Sequence, residues 1–164
     1  MTASTNRRVP QVLIALLPPI GEDHWHRQAV ADSLRAAGLT VEVVPDVDPA
    51  AFGAELDASD AWISSCALRL SKVEPELPRV LVAYREAARW IAAVGFAARS
   101  AHNSVVAYVL VDGDMPKPGL HDWPDAPVAY IGERESSLAR LRGWEVLPGQ
   151  DLASDIAEVA RGSV

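Results

Sequence analysis

The chain has 164 residues, of which 49% are hydrophobic and 23% are charged, and its formal net charge is −7. This length suits one domain with a full core, and the composition excludes a disordered chain. The negative charge excludes the basic surface that nucleic-acid binding requires, and no apolar run is long enough to cross a membrane. The single cysteine, Cys66, excludes an internal disulfide, so we expect a cytoplasmic protein.

Apolar runs of strand length alternate along the chain with segments of helical period. This alternation is typical of βαβ units around a mostly parallel sheet with helices on both faces, which is a three-layer α/β fold. We expect a flexible tail over residues 1–10 and a single domain over residues 11–164.

The first half of the chain predicts three strands and three helices. The earliest are a strand over 12–17, a helix over 23–37 with Asp23 as its N-cap, and a strand over 40–44. A helix that begins at Asp48 and Pro49 runs into 61–70, where residues 61–66 could instead form a short strand. A strand over 79–82 precedes an alanine-rich helix that begins at Tyr84 or Arg85 and continues to about residue 98.

The second half predicts strands over 105–111, 128–131 and 145–147, with helices over 136–142 and 151–160. A flavodoxin-like nucleotide binder is a rival within this fold class. It is disfavoured because the first strand runs into Pro18 and Pro19 and not into a glycine-rich phosphate loop, so we expect no cofactor. We also expect no metal site, because the spacing of His24 and His26 points them apart on a helix.

Three stretches share a pattern of strand ends and loops. Residues 12–25 read VLIALLPPIGEDHW, residues 108–119 read YVLVDGDMPKPG, and residues 123–130 read WPDAPVAY. Together they resemble the α/β-hydrolase family, in particular its small bacterial branch. In that family a helical lid separates the last two stretches. Only a few residues separate them here, so the resemblance implies a minimal, lidless hydrolase-like fold.

The resemblance also locates the positions that carry hydrolysis, and all of them are replaced. Arg85 stands where the nucleophilic serine is expected, with Glu86 in place of a glycine of the nucleophile elbow. Asp151 stands where the histidine base is expected, and Leu16 and Leu17 replace the His-Gly of the oxyanion turn. Arginine has no nucleophilic oxygen and stays protonated, so triad hydrolysis is not expected.

The candidate functional residues all lie at the predicted carboxyl edge of the sheet. We assign acid–base or substrate-anchoring roles to Arg85, Asp151, Asp112 and Asp114. The candidate ligand contacts are Leu17, His24, Trp25, Tyr84 and Glu86. Since serine and histidine are neighbours in the hydrolases, we also expect an ion pair between Arg85 and Asp151.

Five of these candidates have a plainer interpretation that the sequence leaves open. Arg85 could be a surface arginine, and Asp151 could be the N-cap of the last helix. Asp112 and Asp114 could stabilise the turn around Gly113, and His24 could be a polar residue on an exposed turn.

Three functions follow from this pattern. The first is a non-hydrolytic enzyme of isomerase, epimerase, cyclase or lyase type, in secondary metabolism, that acts on a small apolar or carboxylate-bearing substrate. The second is a catalytically inactive ligand-binding or scaffold protein, with a homodimer across the surface left by the missing lid. The third is an atypical hydrolase in which a carboxylate activates water.

Overall fold

The computed structural model describes residues 11–21, 23–48 and 57–163, which build a six-stranded sheet flanked by helices. The strands are β1 (Leu13–Leu16), β2 (Thr40–Val43), β3 (Arg79–Tyr84), β4 (Val105–Val111), β5 (Val128–Ile131) and β6 (Glu145–Leu147). The helices are α1 (Arg27–Ala36), α2 (Ala58–Leu70), α3 (Ile91–Ser100), α4 (Ser136–Leu141) and α5 (Leu152–Gly162). Segments of 3₁₀ helix cover Arg85–Trp90 and Leu120–Asp122.

The sheet has the strand order β2-β1-β3-β4-β5-β6, and each neighbouring pair is parallel. The predicted α/β fold with a parallel sheet is therefore confirmed. This order is consistent with a hydrolase-like fold. Its first five strands also follow the flavodoxin-like order, so the topology alone does not separate the two possibilities.

Helices cover both faces of the sheet because the strands present apolar side chains on both sides. On one face, Ile14 and Val82 pack with Leu34 of α1 and Ile156 of α5. On the other face, the core is formed with α2, α3 and α4 by a second cluster that includes Trp62, Leu81, Ile91, Tyr108 and Ala139. These are the three predicted layers. No helix in the described part of the chain is both long and apolar enough to span a membrane.

Two predicted helix starts differ from the structure. α1 begins at Arg27, and Asp23 is not its N-cap, because the Asp23 carboxylate accepts the backbone N–H of Glu86 at 3.3 Å. Residues 61–66 belong to helix α2 and not to a strand, and Asp57 caps this helix by accepting the N–H of Asp60 at 2.8 Å. The predicted helical residues 49–56 and the predicted tail over 1–10 lie outside the described residues.

The alanine-rich helix after β3 is divided into two parts. It begins as the 3₁₀ segment Arg85–Trp90 and becomes α-helical only at Ile91. Arg85 has a φ of 54°, which lies outside the right-handed helical region, so the strand turns sharply before the helix begins.

A buried arginine holds the connection between α2 and β3. The Arg79 side chain is fully buried, and its guanidinium donates hydrogen bonds to the carbonyls of Leu70, Val73, Glu74 and Leu77, at 2.8, 2.6, 3.1 and 2.5 Å. Burial lowers the pKa of Arg79. The carbonyls at the end of α2 carry the negative end of the helix dipole, so they stabilise the cation in place of a carboxylate.

Replacing Arg79 is expected to destabilise the fold. Arg79→Met leaves four backbone carbonyls without their donor, and we expect the free energy of unfolding to fall by about 3 kcal/mol in urea denaturation. The matched control is Arg69→Met, which removes a half-exposed ion pair with Glu42 and is expected to cost less than about 1 kcal/mol. Equal stability of the two variants would contradict this role for Arg79.

Candidate functional site

The carboxyl ends of three adjacent strands form the edge where the candidate residues were expected. Leu17 follows β1, Arg85 follows β3 and Asp112 follows β4, and β3 lies between the other two strands. Open α/β sheets bind their ligands at this edge.

The backbone at this edge is strained at two neighbouring strand ends. Arg85 has a φ of 54° and Asp112 a φ of 45°, a left-handed region that few non-glycine residues adopt. The carbonyl of Arg85 accepts the N–H of Asp114 at 3.0 Å, which holds the turn in place. Among the described residues, the other non-glycine positions with this φ are exposed; they are Glu74, His102 and Asp122. Strain of this kind is concentrated at functional sites.

The Arg85 guanidinium is partly exposed and has unused hydrogen-bond donors. Its Nε donates to the hydroxyl of Tyr84 at 3.3 Å, and the guanidinium carbon lies 5.6 Å from the centre of the Tyr84 ring. The hydrogen bond to Tyr84, followed by the electrostatic attraction of Tyr84, Asp112 and Asp23, raises the pKa of Arg85. Within the described residues, no carboxylate forms an ion pair with it. The two terminal nitrogens are therefore free to bind an anion.

Two predicted ligand contacts form an aromatic pair beside Arg85. The rings of Trp25 and Tyr84 are stacked, with centroids 5.7 Å apart and planes inclined by 19°. Both side chains are half-buried. The indole Nε1 of Trp25 is buried and has no hydrogen-bond partner among the residues that the structure describes. Together with Arg85, this pair places a cation next to an aromatic surface.

The loop between β1 and α1 reaches across to the turn that contains Arg85. Asp23 accepts the N–H of Glu86, and a Cβ added at Gly21 would lie 3.8 Å from Oε2 of Glu86. The backbone N–H of Glu86 is therefore engaged within the chain.

Leu17 lies in the core and does not line the edge. Its side chain is fully buried, and its N–H donates to the carbonyl of Val82 at 2.9 Å. The backbone N–H of Leu17 is therefore engaged within the sheet and is not available as a donor to a ligand.

Asp112 is engaged by the turn after β5. Its Oδ1 accepts the N–H of Glu133 at 3.2 Å and the N–H of Arg134 at 3.5 Å. A Cβ at Gly132 would lie 2.1 Å from the same oxygen, so only glycine fits there. The carboxylate stabilises a turn, as the plainer interpretation allowed, although the turn belongs to the neighbouring strand and not to its own loop.

Asp114 is the centre of a small ion-pair network. Its Oδ2 lies 3.0 Å from Nη2 of Arg89, and its Oδ1 lies 2.9 Å from Nη1 of Arg134. The Asp114 side chain is 19% exposed, and the two arginine side chains are about half exposed. Asp114 thus joins the segments that follow β3, β4 and β5.

Asp151 does not pair with Arg85, so that expectation is wrong. Its carboxylate accepts the N–H of Ser154 at 3.1 Å and caps α5, which is an ordinary role for aspartate at the first turn of a helix. No ion pair within 4 Å joins the two side chains, both of which are described.

The structure thus brings part of the predicted site together. Trp25, Tyr84, Arg85 and Glu86 are adjacent, His24 is exposed on the loop beside them, and Asp112 lies close enough to influence Arg85. The contact of Asp23 with the turn after β3 was not predicted, because its position before a helical pattern indicated an N-cap. The sequence feature that could have indicated this contact is its position in the loop after β1, since such loops lie at the ligand edge of parallel sheets.

The described residues do not include a group that could hold a metal ion. No three histidine, cysteine, aspartate or glutamate side chains come together for this purpose in residues 11–21, 23–48 and 57–163.

Comparisons with known proteins give structural similarity of low degree. No protein-family model matches the sequence, and no curated protein does. Among solved structures, the chain is similar to the pyrethroid hydrolase PytH, from a crystal structure with BIF, with a TM-score of 0.43 and 17% sequence identity. The match covers 67% of this chain and 43% of that one, so the chain spans less than half the length of that hydrolase. A similarity of this degree identifies neither a family nor a function.

Asp114 provides a test of whether these carboxylates act structurally. Asp114→Asn removes the charge that two arginines share, and we expect the free energy of unfolding to fall by about 1 kcal/mol, with a smaller loss at high salt. Thermal melts of the variant and the wild type at low and high ionic strength measure the loss of stability and its salt dependence. Glu133→Asn, on the neighbouring turn with an exposed side chain, serves as the control and is expected to behave like the wild type. A stable, salt-insensitive Asp114→Asn protein would contradict the structural role.

Proposed function

We propose that the carboxyl edge of the sheet binds a small carboxylate-bearing molecule and does not transform it. The observation that carries this proposal is the Arg85 guanidinium, which sits at the end of β3 with its terminal nitrogens unpaired among the described residues. A planar guanidinium with two free nitrogens matches a carboxylate in a bidentate arrangement.

The aromatic pair defines the rest of the ligand. Trp25 and Tyr84 present a stacked surface next to Arg85, so a ligand with a planar or apolar body would contact this surface while its carboxylate faces the guanidinium. This agrees with the sequence-based expectation of an apolar or carboxylate-bearing ligand.

Several contacts support binding over hydrolysis. Arg85 supplies no nucleophile, the N–H of Leu17 is engaged in the sheet, and the N–H of Glu86 is taken by Asp23. Cys66 is the only cysteine, it is buried in α2, and burial raises the pKa of its thiol, so it does not replace the serine.

Proton transfer by the candidate carboxylates is also disfavoured by their contacts. Asp112 holds the turn after β5, Asp114 joins two arginines, and Asp151 caps α5. A general base needs a lone pair directed at the substrate, and each of these groups directs at least one carboxylate oxygen at the protein.

The non-hydrolytic enzyme remains the second candidate, supported by one observation. His24 is exposed on the loop next to Trp25, and imidazole is the side chain suited to moving a proton at neutral pH. In this version Arg85 would anchor the substrate carboxylate and His24 would act as the acid–base group.

A cytoplasmic location and a homodimer complete the proposal. Five large apolar side chains are exposed in the described residues. They belong to α2, α3, α4 and the 3₁₀ segment over 120–122, where the hydrolase lid is missing, and they are Leu68, Phe96, Leu120, Leu138 and Leu141. Covering such surface is a common reason for dimer formation. Sedimentation velocity would show a species of twice the monomer mass, and a single monomeric species would exclude the dimer.

Binding of an aromatic carboxylate tests the proposed function. We expect titration calorimetry to detect benzoate and not benzamide, and Arg85→Gln to weaken benzoate binding by about tenfold or more. Arg85→Lys keeps the charge but loses the bidentate geometry, so its affinity for benzoate should lie between those of the wild type and Arg85→Gln. Arg69→Gln, on α2 and outside this edge, is the matched control. Unchanged affinity in Arg85→Gln would contradict the proposal.

Whether the bound ligand is chemically converted distinguishes a binding protein from a non-hydrolytic enzyme and from a hydrolase. We expect proton NMR spectra of bound carboxylates to remain unchanged over time, and aryl esters to be hydrolysed no faster than in buffer. Arg85→Ser should not restore ester turnover, because residue 151 is not a histidine. Product formation that disappears in His24→Asn would support the enzyme, and ester turnover by the wild type would support a hydrolase.

A further inference from the structure

A groove lies at the amino-terminal edge of the sheet, away from the Arg85 site. β5 begins at Val128, opposite the fourth residue of β4, and β6 begins opposite the second residue of β5. Because each strand starts further along than its neighbour, a space of about 510 Å³ remains next to the end of α5 at Gly162. This volume is within the range of small-molecule sites.

The lining of the groove is mostly apolar. Alanine, valine and proline side chains come from β4, β5 and the segment before β5, and Trp144 adds an aromatic ring. The Trp144 ring packs edge to face on Trp123 at 5.5 Å. The guanidinium of Arg142 lies 5.1 Å from the centre of the Trp144 ring, so this indole already contacts one cation.

The titratable residues that line the groove are both acidic. Glu145 begins β6 and Glu158 lies in the second half of α5, and both are exposed. Neither forms an ion pair within the described part of the chain. Gly162 and Ser163 add the carbonyl end of α5, which carries partial negative charge. The groove therefore combines apolar surface with negative charge.

We propose that this groove binds a small organic cation, an ammonium group on an aromatic or aliphatic body. The charge of Glu145 and Glu158 complements the ammonium, and the apolar lining with Trp144 complements the body. A metal ion is a poorer match, because such ions require several oxygen ligands and most of this surface offers none. The site is independent of the carboxylate site at the opposite edge.

Benzylamine and its neutral analogue benzyl alcohol test the proposal. Titration calorimetry and saturation-transfer NMR are expected to show saturable binding of benzylamine that weakens as ionic strength rises, with benzyl alcohol bound more weakly. Glu145→Gln combined with Glu158→Gln keeps the side-chain shape and removes both charges, and we expect about tenfold weaker binding. Glu76→Gln, an exposed glutamate that does not line the groove, is expected to leave the affinity unchanged.

A blocking variant tests the location independently of charge. Gly162 lines the groove, and a Cβ there meets no atom within 4 Å, so Gly162→Phe adds a bulky ring at the groove without a clash, and we expect benzylamine binding to weaken about tenfold or more while the melting temperature is kept. Equal affinity for the amine and the alcohol, unchanged binding in the double glutamine variant or in Gly162→Phe, or no binding at millimolar benzylamine would each overturn the proposal.

Discussion

Asp114 links the segments that follow β3, β4 and β5, and the shape of the candidate site depends on these contacts. Its backbone N–H donates to the carbonyl of Arg85, while its carboxylate binds Arg89 and Arg134. A Cβ at the preceding Gly113 would lie 2.5 Å from the Cβ of Ala88, so the segment packs directly on the turn after β3. The left-handed conformation of Arg85 is therefore held by surrounding structure, as strained residues require.

The same contacts determine which charges remain available at the edge. Asp23, Asp112 and Asp114 accept hydrogen bonds from the protein, whereas the terminal nitrogens of Arg85 have no partner among the described residues. An edge at which Asp23, Asp112 and Asp114 are engaged and the Arg85 guanidinium is accessible is suited to holding an anion. It is less suited to removing a proton from a substrate, since a base must face the substrate.

Most of the fold could be predicted from local pattern. The six strands lie where apolar runs of strand length were found, and the parallel arrangement follows from their alternation with helices. The N-cap at Asp151 was one of the interpretations left open. The helix after β2 was ambiguous because the short run 61–66 contains enough apolar residues to suit either a buried strand or a buried helix, and the structure places it in α2.

The candidate site was predicted only in part. The sequence by itself determined that Arg85 lies after the third strand and that no serine, histidine or glycine stands at the positions that the resemblance implies, because residue identity and strand periodicity are local properties. Tertiary structure decided the partners: Asp23 binds Glu86, 63 positions away, and Asp114 binds arginines from two other segments. The direction of a carboxylate depends on donors that distant segments bring within about 3 Å, and strand or helix periodicity contains no information about such encounters.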